Sequence, residues 1–286
     1  MRTTAVSQRT IVFKRGCATF RRATRTMRRP RLSHAVSKLI ALMMVLCLVV
    51  PTVARSNDAP ETSLNEWEFG AEVYGWGANL GGKTVDGAPI KLDFGDIVDD
   101  LNFGFMGILE AKRDRLIIFG DFIYLNLDDS GDASIDLGFG PEDVSVKVEL
   151  KGFISTVGVA YEVVRTPTSW HSVLGGARYL WLDNEVKVRE GSSGISSDDS
   201  NSSWDAIVGL TGRIGLNDKW YLSYYGDVGA GDSDFTWQAR AAVNYRFEKF
   251  DLSLGYRYLD WDLGSDFEPA DDLNVKGVYV GAKFDF

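Results

Sequence analysis

Past residue 56 the chain contains no cysteine: the only two, Cys17 and Cys47, lie upstream. Once the upstream part is removed, disulfides, thiolate metal sites and cysteine nucleophiles are excluded. Histidine is nearly as scarce, with His34 upstream and His171 alone downstream. No apolar run of helix-spanning length follows residue 57, since a membrane helix takes about 20 residues. Acid is absent from one part and base is short in the other. Residues 1–56 hold twelve basic residues and no Asp or Glu, while 57–286 hold 19 basic against 40 acidic ones, so the formal charge of -9 conceals -21 downstream. A nucleic-acid partner is disfavoured for that acidic part, because phosphate recognition needs a net basic face. What the chain does have, 45% hydrophobic residues over 286 positions, is too apolar for disorder and long enough for one large domain or two small ones.

Residues 39–50 read LIALMMVLCLVV, an apolar run preceded by a basic stretch and followed by Ala54 and Ser56. That order is a secretory signal peptide, and the run is too short to span a bilayer. Cleavage is expected near Ala54 to Ser56, so that 1–56 is a removed leader, 57–66 a short periplasmic segment and 67–286 the folded domain. A start at Met27 gives an ordinary n-region, which points to a misassigned start; an extended or organellar presequence is the other reading. Cys47 follows Leu46, where a lipoprotein signal needs a small residue, so lipidation is not expected.

Downstream, polar and apolar residues alternate over segments of about ten residues separated by Gly, Asp and Ser, the signal of barrel strands. The clearest is 144–151, VSVKVELK. Ten segments are predicted: 67–78, 103–112, 116–127, 144–163, 170–188, 204–216, 220–230, 236–247, 252–262 and 273–286. Connections after the even-numbered segments are short, and those after the odd-numbered ones, 79–102, 128–143, 189–203, 231–235 and 263–272, are mostly long. The pattern predicts an all-β fold, a closed antiparallel up-and-down barrel of about ten strands, with eight as the alternative and both termini at the short-turn end. Closure removes the unpaired edges that such a high strand content would otherwise expose.

Each strand divides into two faces. One is apolar with aromatics towards its ends: Trp67, Phe69, Phe103, Phe105, Phe122, Tyr124, Tyr179, Trp181, Trp220, Tyr224, Trp237, Tyr245, Phe247, Tyr256, Tyr258, Phe284 and Phe286. Rings at strand ends are what the two bilayer interfaces select. The other face, with the long fourth strand left out, carries Glu68, Glu72, Glu110, Lys112, Asp121, Arg178, Asp205, Arg213, Asp227, Arg240, Arg246, Arg257, Lys283 and Asp285, seven acids and seven bases. Equal and opposite charge fits a lumen closed by a paired network, because an unpaired charge in a narrow interior is costly. The opposite assignment, with this face turned to solvent, gives a secreted soluble barrel holding a small apolar ligand.

The chain resembles the small outer-membrane β-barrel proteins of Gram-negative bacteria over essentially all of 67–286. The likeness rests on Gly176-Ala-Arg-Tyr-Leu-Trp-Leu-Asp183 and Gly255-Tyr-Arg-Tyr-Leu-Asp-Trp-Asp262, two Gly-x-Arg-Tyr strands, and on the closing strand Val278-Tyr-Val-Gly-Ala-Lys-Phe-Asp-Phe286. The resemblance implies an outer-membrane location, contact with membrane lipid and lipopolysaccharide, and recognition of Phe284 and Phe286 by the barrel assembly machinery during insertion. Ten strands rather than eight is a departure from the commoner form.

Catalysis is not expected. Outer-membrane enzymes pair a His with a Ser or Asp, mostly near the outer rim, whereas His171 falls beside the short turn 165–169, out of reach of a loop serine such as Ser192. The acid pairs Asp99-Asp100, Asp128-Asp129, Asp198-Asp199 and Asp271-Asp272 lie in or beside long loops. Asp128, Asp129, Asp132 and Asp136 have suggestive oxygen spacing for calcium but lack the Gly and closing Glu of a helix-loop-helix site, so no metal and no cofactor is expected. Solvated loop charge is the favoured reading, with cation bridging to lipid phosphate behind it. An open pore is disfavoured, because so small a barrel is nearly filled by side chains. The expected protein is a monomeric or weakly self-associating, non-enzymatic barrel with a structural or surface-interaction role, or a narrow gated conduit. Its long loops hold 20 acidic residues against Lys83, Lys91 and Arg189.

Overall fold

A computed structural model describes residues 66–85, 87–136, 141–190, 193–264, 267 and 270–286; the predicted leader, its cleavage site and Ser192 lie outside them. The elements are β1 (Glu68–Thr84), β2 (Pro89–Leu92), α1 (Phe94–Asp99), β3 (Leu101–Arg113), β4 (Leu116–Asp136), β5 (Pro141–Arg165), β6 (Ser169–Glu190), β7 (Ser193–Gly215), β8 (Trp220–Gly231), β9 (Phe235–Arg246), β10 (Asp251–Asp262) and β11 (Ala270–Asp285). Neighbours in sequence pair antiparallel, and β11 pairs with β1 to close the sheet. The four-residue β2 only folds back on β1 from Leu80 to Lys83. The barrel therefore has ten strands, as the segment count predicts.

Closure is complete at the short-turn end, where Phe69 N–H donates to the Phe286 carbonyl at 3.0 Å and Phe286 N–H to the Phe69 carbonyl at 2.9 Å. The tightest of these turns joins β3 to β4 through Asp114, whose φ of 52° is left-handed. Two-residue hairpins demand such backbone, and Asp is among the few side chains that tolerate it. Arg165 from the next turn bonds the Asp114 carbonyl and lies 3.3 Å from its carboxylate, which ties the two turns together.

Two predicted loops are mostly strand. In place of a loop over 128–143, β4 runs to Asp136 and β5 starts at Pro141; in place of one over 189–203, β6 runs to Glu190 and β7 starts at Ser193. The long connection 79–102 likewise contains the end of β1, then β2 and α1. The turn-forming Asp, Ser and Gly of 128–136 stay extended because the strongly alternating upper part of β5 supplies a template along its whole length, Asp128↔Glu149 through Asp136↔Pro141. As a result β4 to β7 have 21, 25, 22 and 23 residues against 12 each in β8, β9 and β10. A membrane strand needs about 9–11, so these four project well beyond one rim as a sheet of their own.

The charged face points inward. Arg178, Arg257, Asp205 and Glu162 are buried, whereas Leu109 is 58%, Val208 63% and Leu254 57% exposed on the outer surface. A soluble barrel with an apolar interior and these charges outside is not what the chain forms. Two aromatic bands bound the exposed apolar surface. At the short-turn end the rings run Trp220, Tyr245, Phe247, Phe250 and Phe284 in successive contact, with Phe69 stacked on Phe286. At the other end Phe103 meets Tyr124, Phe153 meets Tyr179, Tyr179 meets Trp204 and Trp237 stacks on Tyr258. From Tyr245 to Trp237 on β9 is about 26 Å along the strand at ~3.3 Å per residue. Strand tilt of about 40° reduces that to about 20 Å, close to the apolar band of an outer-membrane-type barrel.

Candidate functional site in the barrel lumen

The lumen is where the strands bring their charges together, in layers rising from the short-turn end. Lowest, Glu162 on β5 is fully buried and lies 2.5 Å from both Lys112 Nζ and Arg165 Nε. Glu68 faces Lys112 across the β1–β3 ladder at the exposed rim. Arg213 lies 3.7 Å from the centre of the Tyr221 ring, Arg246 approaches the same ring at 5.8 Å and donates to the Asp218 carbonyl, and the Tyr221 hydroxyl donates to Asp251 at 2.7 Å.

One layer higher, Lys283 pairs with Glu110 and lies 3.9 Å from Asp285. Glu72 lies against Gly281, where any β-carbon would collide with its carboxylate. Arg240 is held between the Tyr225 and Tyr279 rings at 5.7 and 5.9 Å.

At mid-height two arginines are enclosed by partners. Arg257 Nη1 donates to the Tyr74 hydroxyl at 2.7 Å, Nη2 to Gln238 at 2.7 Å, and Nη2 stands 2.9 Å from Asp121, which in turn accepts from the Tyr74 hydroxyl at 2.6 Å. Arg178 Nη2 donates to Asp227 at 2.5 Å and Nη1 to Thr236 at 2.9 Å. Guanidinium suits this use because its fixed fork of donors can satisfy several acceptors at once without losing charge. Asp205, higher still, accepts from the Ser233 amide at 3.0 Å and hydroxyl at 2.7 Å and so anchors the β8–β9 turn.

Above Arg257 the inward face of β10 and its neighbours on the far side from Asp205 turns apolar. Trp76, Ile123, Leu180, Leu259, Trp261, Leu273 and Val275 pack as one buried cluster, extended by Leu263 and Phe267 of the β10–β11 connection. Below it, the lumen retains a cavity of about 30 Å³ lined by Glu110, Asp121, Tyr225, Gln238 and Arg240 among others. That volume holds about two water molecules.

All fourteen predicted charges lie on inward-facing strand positions. Sequence reasoning missed Glu162, because the long fourth strand was set aside, and it missed Tyr74, Gln238, Thr156 and Thr236, whose parity with charged neighbours on the same strands was the available signal. His171 lies on the outer face: its Nδ1 is 2.7 Å from the Tyr224 hydroxyl and its ring stacks on Tyr224 at 5.9 Å. Asp128 and Asp129 are consecutive in β4 and therefore point to opposite faces. Asp128 lies 3.7 Å from Lys147, the side chains of Asp132 and Asp136 lie outside the described residues, and no group of three or more His, Cys, Asp or Glu among the described residues could hold a metal.

No family model matches the chain, and no curated protein matches it. Among solved structures it is similar to the outer-membrane protease OmpT from Escherichia coli, at 8% identity and a TM-score of 0.46 over 78% of this chain and 97% of that one. It is also similar to the translocator domain of the autotransporter NalP from Neisseria meningitidis, at 13% identity and 0.44 over 87% and 97%. A third is the attachment invasion locus protein Ail of Yersinia pestis, at 12% identity and 0.33 over 78% and 99%. All three are outer-membrane β-barrel proteins.

Proposed function

We propose that the protein is an integral barrel of a Gram-negative outer membrane with a non-catalytic, structural or surface-interaction role and a lumen closed to solutes. The observation that carries this reading is the belt of exposed apolar side chains between two aromatic bands, wrapped around a charged interior. A soluble protein gains nothing from such an exterior, whereas in hydrocarbon it is required, because a closed barrel satisfies every backbone group within itself. The alternative of a narrow conduit is opposed by the buried apolar cluster around Trp261 in the upper lumen. Catalysis by His171 is opposed by its outward position against Tyr224.

Lipid and lipopolysaccharide are the partners that fit the belt, and the assembly machinery is the partner that fits the terminal Phe284 and Phe286. A monomer fits a barrel closed on itself. Carbonate extraction followed by gel migration with and without boiling tests the reading. An integral barrel stays in the pellet and shifts on boiling, and release into the supernatant would overturn it.

A further inference from the structure

Four carboxylates form a single row across the outer face of the projecting sheet. Asp128 is the direct cross-strand partner of Glu149, Glu149 of Glu185, and Glu185 of Asp198. Neighbouring strands lie about 4.8 Å apart, and like charges facing one another at that spacing destabilise a sheet. The flanking rows compensate three of the four: Lys151 lies 2.9 Å from Glu149, Lys187 2.6 Å from Glu185 and Lys147 3.7 Å from Asp128. Asp198, exposed at the β7 end of the row, has no ion pair among the described residues.

That end of the row is also an open sheet edge. β7 pairs with β6 from its first residue, Ser193, but with β8 only from Asp205 onward. Between Ser193 and Ser203, therefore, its far side faces no described strand. The opposite edge, on β4, is open beyond Asp128 in the same way, because the β3 ladder ends at Leu127. Neither edge carries a base: β4 has Asp128, Asp129, Asp132 and Asp136 there, and β7 has Asp198 and Asp199, while Lys147, Lys151 and Lys187 all sit on the two inner strands. Two copies brought edge to edge would set carboxylate against carboxylate, which is how natural sheets discourage self-pairing. A strand bearing bases meets no such barrier.

We infer that the β7 edge, Ser193 to Ser203, docks an extended cationic peptide segment of another protein, which adds a fifth strand to the projecting sheet and places a Lys or Arg opposite Asp198. Main-chain hydrogen bonds supply affinity in this mode and the side-chain row supplies selectivity. The inference rests on the membrane-barrel reading, since the edge must stand clear of lipid.

The test uses the full folded chain in detergent, its fold verified independently by heat-modifiable migration, so that failure of the barrel reading is seen separately from failure of binding. Three short fluorescent peptides are titrated: one alternating Lys and Thr, the same peptide N-methylated on alternate amides, and a Glu and Thr counterpart. The cationic peptide is expected to bind saturably, the N-methylated form at least about tenfold more weakly, and the acidic form not at all. Asp198→Asn is expected to weaken the cationic peptide about tenfold and Asp198→Lys to transfer preference to the acidic one. Equal binding of the N-methylated peptide, indifference to both substitutions, or no saturable binding overturns the inference, as does concentration-dependent dimerisation through this edge.

Discussion

Arg178 on β6 reaches over β7 to Asp227 on β8, with 2.5 Å between Nη2 and Oδ2 and both side chains fully buried. A pair so placed contributes less to stability than its geometry suggests, because both ions were stripped of water to form it. Breaking it is another matter, since the surviving charge stays buried without its partner.

Asp227→Ala is therefore expected to destabilise the barrel by about 3–5 kcal/mol, whereas the paired replacement Arg178→Met with Asp227→Leu is expected to be close to neutral. Denaturant unfolding in lipid vesicles, followed by tryptophan fluorescence, measures both. A double replacement as damaging as the single one would mean that Thr156 and Thr236, which also bond Arg178, depend on the guanidinium more than Asp227 does.

The seal above the polar core is made of large apolar side chains, of which Trp261 and Leu259 are fully buried. Trp261→Ala is expected to cost about 3–5 kcal/mol for the cavity it leaves. Combined with Trp76→Ala it is expected to give discrete conductance steps in planar bilayers, while the unmodified chain gives none. Steps of the same size from the unmodified chain would place the seal elsewhere.

Removal of Phe286 deletes both backbone bonds to Phe69 and a ring stacked on it at 6.5 Å. The folded, heat-modifiable fraction in the membrane is expected to fall several-fold. A full yield of folded barrel would show that the closing strand is recognised and sealed without its last residue.

On the projecting sheet, the Lys151 ammonium donates a hydrogen bond to Glu149 and holds that carboxyl below its ordinary value of 4.5. A carboxylate lowered on folding adds stability that is complete above its unfolded value and lost as pH falls through the folded one. The sheet is thus expected to lose this contribution only below about pH 4.5. Carboxyl NMR reads the midpoint directly, and Lys151→Met should move it upward; an unmoved midpoint would remove the pairing from the account.

The strand count and the inward face were legible because lipid imposes one rule on every spanning segment, apolar out, and side-chain parity then fixes the interior. The extent of β4 to β7 was not, because that rule ends at the aromatic band. Along the outer face of β5 the sequence passes from Val159 and Val157 through Phe153 to Lys151, Glu149 and Lys147 without a change of register. Above Phe153 water meets the outer face, so although β5 keeps its alternation, the segments paired with it are free to be polar on both faces. The partner segments, rich in Asp, Ser and Gly, therefore read as loops although the ladder continues through them. Within the lumen, charges could be placed by parity, but Arg257 meeting Tyr74 across 183 positions follows from closure and not from any local pattern.

The β1–β11 seam also governs how the barrel is lost. Every other barrel ladder joins segments adjacent in the chain and can form as a hairpin, whereas the seam joins ends 217 positions apart, Phe69 and Phe286. Closing that separation costs loop entropy that the local hairpins do not, and non-local pairing of this kind slows assembly. Once the seam is made, no barrel strand keeps a free edge in the membrane-spanning part, and a strand can leave only by breaking the ladders on both of its sides. Persistence in the membrane is then expected to follow the rate at which a ladder opens.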